Sequence, residues 1–257
     1  MTDELDAMLT RLKLTAIRDR LDGLLDEASR RDFTLRETVQ FLCEAEIAHK
    51  DQRRVAMGTN IAKFPFVRTL DTFEFDAQPS IDPKQIRELA TCRWVANGDA
   101  LLLLGPPGVG KTHLAVALGR EAVVRGYTAL YTTAMSLLAS LSKAHATGPG
   151  ALEERLTFFT KPKLLIVDEL GYLPLEAQAA HLFFQLVSRR YERGSMLVTS
   201  NRGVGEWGAV FGDAVVAAAI LDRLLHHSVV IGVRGDSYRL REKRRSGLVR
   251  PHGESSP

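Results

Sequence analysis

Cysteine is scarce in this chain: Cys43 and Cys92 are the only two in 257 residues. Two thiols build neither a disulfide framework nor a four-ligand metal site, and a reducing compartment suits them as semi-buried structural side chains. Long apolar runs are missing too. The strongly apolar run from Ala100 to Leu104 is far short of the roughly 20 residues that span a bilayer. The chain opens Met1-Thr2-Asp3-Glu4, acidic where a secretory leader is basic, with no apolar stretch behind it. A cytoplasmic protein without membrane contact is expected. Neither sign of charge dominates, with 34 basic and 31 acidic side chains and a net charge of +3. So small a surplus does not argue for a nucleic-acid partner; its distribution has to. No internal repeat is visible. What the chain does have is 45% hydrophobic and 25% charged residues, an ordinary globular balance that excludes a disordered or collagen-like chain. Its length allows one large or two modest domains.

Apolar residues at three- and four-residue steps predict an amphipathic helix over residues 3–28 (Leu5, Leu9, Leu12, Ile17, Leu21, Leu24, Leu25, Ala28). Thr34 and Glu37 form a capping box opening a second helix, with a stripe through Leu35, Val39, Leu42 and Ile47. Such helices need a partner surface. From Phe64 to Pro83 the text turns irregular, and its four phenylalanines (64, 66, 73, 75) suit a linker lying against the next domain. A helix is expected over 84–96. Strands at 100–104, 128–132, 164–167, 196–199 and 228–233 then alternate with helices at 111–125, 134–145, 151–160, 176–193 and 213–225. That alternation predicts an α/β domain with a parallel sheet covered on both faces.

Gly105-Pro106-Pro107-Gly108-Val109-Gly110-Lys111-Thr112 fits G-x-x-x-x-G-K-[ST] between a predicted strand and a predicted helix, the context a P-loop requires. Glycines let the backbone N–H groups wrap a phosphate, and the helix N-terminus adds its dipole. Lys111 would reach the β- and γ-phosphates, and the Thr112 hydroxyl would ligate Mg²⁺. A dinucleotide fingerprint fails, because no third glycine follows Gly110. Leu164-Leu165-Ile166-Val167-Asp168-Glu169 is an apolar strand ending in two carboxylates at the edge where open α/β sheets bind ligands. Asp168 would hold Mg²⁺ through water, and Glu169 would polarise an attacking water. Leu197-Val198-Thr199-Ser200 runs into Asn201, whose amide could bond the γ-phosphate and the water; a simple turn residue is the plain alternative.

Walker A, an Asp-Glu Walker B and a strand-end Asn together resemble an AAA+ ATPase. More specifically, residues 105–113 (through His113), Asp168-Glu169-Leu170-Gly171-Tyr172, Arg190-Tyr191-Glu192-Arg193-Gly194-Ser195, Leu221-Asp222-Arg223-Leu224-Leu225-His226-His227-Ser228 and Ser237-Tyr238-Arg239 resemble the IstB family. These are transposition helper ATPases of bacterial insertion sequences, related to the DnaC helicase loader. The likeness spans nearly the whole chain, including both N-terminal helices and Ala62-Lys63-Phe64-Pro65. It implies a helical N-terminal domain over 1–70 for oligomer or partner contact and an AAA+ ATP-binding domain over 71–245; the residues themselves, from Pro251 to Pro257 above all, read as a disordered tail over 246–257. The likeness also implies a homo-oligomer with ATP at protomer interfaces that binds duplex DNA without reading sequence. Such a helper deforms that DNA, recruits a cognate transposase and hydrolyses ATP for release. Arg223 stands where the family's arginine finger lies; a salt bridge to Asp222 is the alternative. The small helical lid that normally carries a second-sensor arginine is not expected here. That departure from the full AAA+ pattern leaves Arg239 as a guess for that role and puts lid motion in doubt. A helicase loader, or a nucleotide-gated scaffold with little turnover, are the rival functions.

Two basic stretches stand out: Lys50, Arg53, Arg54, Lys63 and Arg68 against Asp51 alone, and a tail from Arg239 to Arg250 with six basic residues against Glu242. The helices at 134–145 and 151–160 occupy the position where related initiators and loaders face DNA, and with the turn that follows they offer Lys143, Arg155, Lys161 and Lys163. These would contact phosphates; a solvated face is the alternative. His226 and His227 invite a metal reading, but as neighbours on one element they are expected to point apart, with no carboxylate joining them. Trp94 and Trp207 read as packing residues.

Overall fold

A computed structural model of the chain describes residues 2–172, 174–235 and 237–238. Arg239, the basic stretch to Arg250 and the tail over 246–257 lie outside the described residues. Two compact units part between Met57 and Gly58. That point lies inside a helix, because the composition change at Pro65 marks where the helix stops rather than where packing changes.

The first unit contains α1 (Thr2–Arg11), α2 (Thr15–Arg30) and most of α3 (Leu35–Ala62). The single helix expected over 3–28 is broken at Lys13, which takes φ 58°. A side chain of α3 compensates the break. Glu46, 3% exposed, accepts hydrogen bonds from the Ala16 and Ile17 N–H groups at 2.8 and 3.1 Å, so a distant carboxylate caps α2. Burial alone would raise the Glu46 pKa, but those two N–H groups and the Lys50 ammonium outweigh it and hold it below the usual carboxylate value. The capping box at α3 is present, with Thr34 N–H on Glu37 Oε2 at 2.8 Å and Glu37 N–H on Thr34 Oγ1 at 3.4 Å. Leu35, Val39 and Ile47 of the expected stripe are exposed. Cys43 is exposed as well, not semi-buried; Cys92 is buried, and burial pushes its thiol up to about 11.

The second unit carries α4 (Pro83–Leu89) and α5 (Arg93–Asn97), split where one helix was expected because Cys92 adopts φ 59°. Then follow β1 (Ala100–Leu104), α6 (Lys111–Val124), β2 (Ala129–Thr133), α7 (Ala134–Thr147), α8 (Pro149–Thr160), β3 (Leu164–Leu170), α9 (Ala177–Arg190), β4 (Ser195–Ser200), α10 (Trp207–Phe211), α11 (Ala214–Leu225) and β5 (Ser228–Gly232). All five strands run parallel in the order β2-β3-β4-β1-β5. Their apolar runs are what a sheet covered on both faces requires. One face packs on α7, α9 and α11 through a core that includes Phe183, stacked on Phe211 at 5.7 Å, and fully buried Trp207. Trp94 is buried too, so both tryptophans pack as expected. The chain leaves β1 between β4 and β5 and crosses the sheet to β2, which puts a ligand crevice at the C-terminal ends of β1, β4 and β3. Among the described residues no helix is long and apolar enough to cross a membrane.

Candidate nucleotide site

The loop after β1 is held by close backbone approach. Gly105 leaves the strand so near β5's exit that an added Cβ would lie 2.0 Å from the Val233 carbonyl oxygen. Gly110 takes φ 98° as it opens α6, and a Cβ there would press 2.8 Å from the Phe73 ring. The irregular segment therefore lies against the domain, as its phenylalanines suggest. Lys111 is 8% exposed and its ammonium donates to the Gly105 and Pro106 carbonyls at 2.6 and 2.7 Å, so the loop wraps its own lysine. Pro106 and Pro107 are exposed at the tip, and Val109 is buried beneath.

Asp168 is 1% exposed at the end of β3, beside β2 and β4. Its Oδ1 accepts from Thr112 Oγ1 at 3.1 Å and from the Thr199 hydroxyl, and its Oδ2 accepts from Tyr131 at 2.7 Å. Strand alternation alone would send Glu169 to the opposite face of the sheet. Instead the β3–β4 register shifts between Val167 and Leu170, and Glu169 takes φ 64°. Thr199 Oγ1 accepts the Glu169 N–H at 2.9 Å, so one hydroxyl links both carboxylate residues to β4. A bulge of this kind re-aims a side chain. Here the exposed Glu169 carboxylate lines the same cavity, about 400 Å³, as Gly108, Lys111, Thr112, Thr199 and Asn201. Asn201 Oδ1 is buried without a hydrogen-bond partner among the described residues.

Two layers of this site were not foreseen. Tyr131 and Thr199 sit one strand to either side of Asp168, and their polar character at strand ends was the available signal. Burial first, then the hydrogen bond and charge of Asp168 and the charge of Glu169, push the Tyr131 phenol above its ordinary range, so it remains a donor. The segment after β5 also crosses the loop: Tyr238 N–H donates to Gly108 O at 3.0 Å and its hydroxyl to Glu74 Oε1 at 2.7 Å. His113 lines the cavity, but its Nε2 donates to the Thr69 carbonyl at 2.9 Å, fastening the 64–80 segment to α6. Burial lowers the His113 pKa, more than the Thr69 bond restores it, and keeps the ring neutral at neutral pH.

A glycine-wrapped lysine, hydroxyl and carboxylate oxygens suited to a hard cation, and an orphaned buried amide oxygen fit a nucleoside triphosphate with Mg²⁺. The model for IstB-like ATP binding proteins matches residues 7–246. The chain belongs to this IstB-like family. An ATP-binding protein of insertion sequence IS5376 from Geobacillus stearothermophilus is 44% identical over 244 residues, 95% of this chain and 96% of that one. The ATP-binding protein of IS21 from Pseudomonas aeruginosa is 44% identical over 246 residues, covering 96% and 92%. Among solved structures, the DnaC helicase loader shares the fold with a TM-score of 0.53 at 23% identity, over 67% of this chain and all of that one. The IstB-like chain is thus an ATP-binding P-loop protein with an AAA+ fold.

The remaining candidates lie elsewhere in this IstB-like domain. Arg223, near the end of α11, does not line the cavity; its guanidinium donates to Ala219 O at 3.0 Å and lies 4.7 Å over the Phe184 ring. No ion pair to Asp222 forms within 4.0 Å among the described residues. Lys143, Arg155 and Lys161 are exposed on or next to α7 and α8, whereas Lys163 turns its ammonium to the Arg193 carbonyl at 3.5 Å. Arg155 and Lys63 both approach the half-exposed Phe158 ring, at 5.2 and 6.0 Å. Of the basic stretch at 50–68, Lys50 turns to Glu46 and Arg54 pairs with Asp51 within the first unit, and Arg68 lines the cavity within the second. The two histidines correct the expectation of divergence. Their ring centroids are 4.2 Å apart, and Glu192 joins them.

Replacing Tyr131 with phenylalanine should destabilise the domain by about 1–3 kcal/mol, the cost of leaving a buried acceptor without its donor. Urea unfolding with an unchanged m-value is the measurement. A stability equal to wild type would mean that Asp168 does not depend on that hydroxyl.

Proposed function

We propose that the protein is an ATP-dependent, DNA-binding helper of transposition that assembles with ATP between protomers on duplex DNA, deforms it and recruits a cognate transposase. Hydrolysis then releases the assembly. The observation that carries the hydrolytic reading is the Glu169 bulge, which brings a carboxylate out of its strand into the cavity of Lys111 and Asn201. ATP with Mg²⁺ supplies a phosphoanhydride whose charge is already partly neutralised. Lys111 and the backbone N–H groups of residues 108–113 would hold its phosphates. Thr112 would offer its hydroxyl to the ion and Asp168 would act through a water. Glu169 would accept a proton from the attacking water, and Asn201 would orient that water with its free amide oxygen. Arg223 sits outside its own cavity, which suits a contact with a neighbouring protomer's nucleotide. That two relatives aligned over nearly their whole length are proteins of insertion sequences supports transposition over helicase loading.

DNA contact is assigned to Lys143, Arg155 and Lys161, with Lys63 beside Arg155. Each protomer supplies few phosphate contacts, so an assembly should bind tightly where a monomer binds poorly. The test is a salt series of equilibrium binding on two duplexes of unrelated sequence, with ATP, ADP or no nucleotide. Affinity should require ATP and fall with a slope near −0.9 per phosphate contact. Lys143→Glu with Arg155→Glu should weaken binding equally on both duplexes. Binding indifferent to nucleotide, or unchanged in the double variant, would place the DNA on another surface.

A further inference from the structure

Two strings that the nucleotide chemistry leaves unused, residues 190–195 and 224–228, meet in space. Glu192, His226 and His227 each bring one ligand-capable atom within 4.8 Å of the others. They stand at the N-terminal ends of β4 and β5, whereas the nucleotide cavity opens at the C-terminal ends of β1, β3 and β4. An ion here would be separate from any ion carried by nucleotide in the same protomer's cavity.

We propose that Glu192, His226 and His227 form a binding site for a divalent transition metal, with zinc the ion they suit best. Two imidazoles and one carboxylate are a zinc donor set that leaves a fourth position for water, whereas Mg²⁺ and Ca²⁺ take oxygen ligands. Both backbones that carry the ligands are fixed. His226 N–H closes the end of α11 on Asp222 O at 3.2 Å, and His227 O accepts the Ala100 N–H at 2.8 Å. Glu192 is held at φ 57° in a turn whose Arg193 and Gly194 N–H groups both donate to Arg190 O, at 2.9 and 3.0 Å. The Arg190 guanidinium, 1% exposed, anchors that turn by donating to the carbonyls of Phe159, Pro162 and Ser195 at 2.9, 3.0 and 2.6 Å.

The Tyr191 hydroxyl lies 2.9 Å from His226 Nδ1. With an ion on Nε2, Nδ1 carries the proton and donates to the phenol oxygen, the outer partner that orients a ligating histidine. Zinc–nitrogen bonds of about 2.0–2.1 Å bring tetrahedral ligand atoms to roughly 3.3 Å apart. All three side chains are exposed, so rotation about their own bonds can close the gap from 4.8 Å without moving the backbone. The bound ion would tie the turn after α9 to the start of β5.

The test uses tag-free, full-length protein stripped by a chelator and titrated with Zn²⁺ alone, with Co²⁺ as a spectroscopic stand-in. One ion per chain, a tetrahedral Co²⁺ spectrum and a thermal midpoint that rises with Zn²⁺ are expected. His227→Asn and Glu192→Gln should each weaken binding at least about tenfold, and Tyr191→Phe by about tenfold. His145→Asn, an exposed histidine on α7, should change nothing. Circular dichroism of each variant separates lost binding from lost folding. The assignment is overturned if the wild type takes up no ion, or if folded His227→Asn and Glu192→Gln proteins bind as tightly as wild type.

Discussion

Glu169→Gln should leave ATP affinity intact and lower hydrolysis by about 10²–10⁴-fold, the contribution of a positioned general base. The amide fills the same volume at the same backbone conformation, so the register shift at Val167–Leu170 and the Thr199 bond to the Glu169 N–H should persist. Thermal unfolding should therefore be unchanged, which distinguishes lost chemistry from a lost fold. Lys111→Ala is the contrasting control. It removes the cation from the loop carbonyls and should abolish ATP binding itself. Turnover of Glu169→Gln at the wild-type rate would remove Glu169 from the mechanism.

Arg223→Ala should leave nucleotide affinity of separate protomers unchanged and depress DNA-stimulated turnover by roughly 10³–10⁵-fold, the range known for arginine fingers supplied to a neighbour. Within its own protomer the guanidinium rests on Phe184 and the Ala219 carbonyl, away from the cavity. Mixing Arg223→Ala with Lys111→Ala should restore activity at interfaces where the first protein's nucleotide meets the second protein's arginine. A purely structural arginine would instead lower stability, and no mixture would exceed the sum of the separate variants.

The N-terminal helices show where sequence reading stops. Nothing in Lys13 itself breaks a helix, since lysine is a good helix former. The break is compensated by Glu46, 30 residues from Ala16 along the chain, and periodicity carries no information about such a pairing. The irregular segment was legible as a packed linker from its phenylalanines. Its fastening by His113 to Thr69, and the Tyr238 clasp over Gly108, join residues too far apart in sequence to be paired by any pattern.

Contiguous residues determined by themselves the strand–helix alternation, the phosphate loop and the Asp-Glu strand end, because local geometry and local chemistry coincide there. A G-x-x-x-x-G-K-T run between a strand and a helix can wrap a phosphate wherever the strand lies in the sheet. Tertiary structure alone decided how the two carboxylates differ. Asp168 is buried under hydroxyls from β2, β4 and α6, while Glu169 is turned out by a register shift against β4. It also decided that His226 and His227 converge on Glu192. In both cases the deciding partners come from elements that only the folded sheet brings together, so the hydrogen bonds and side-chain directions they impose have no counterpart in the local pattern.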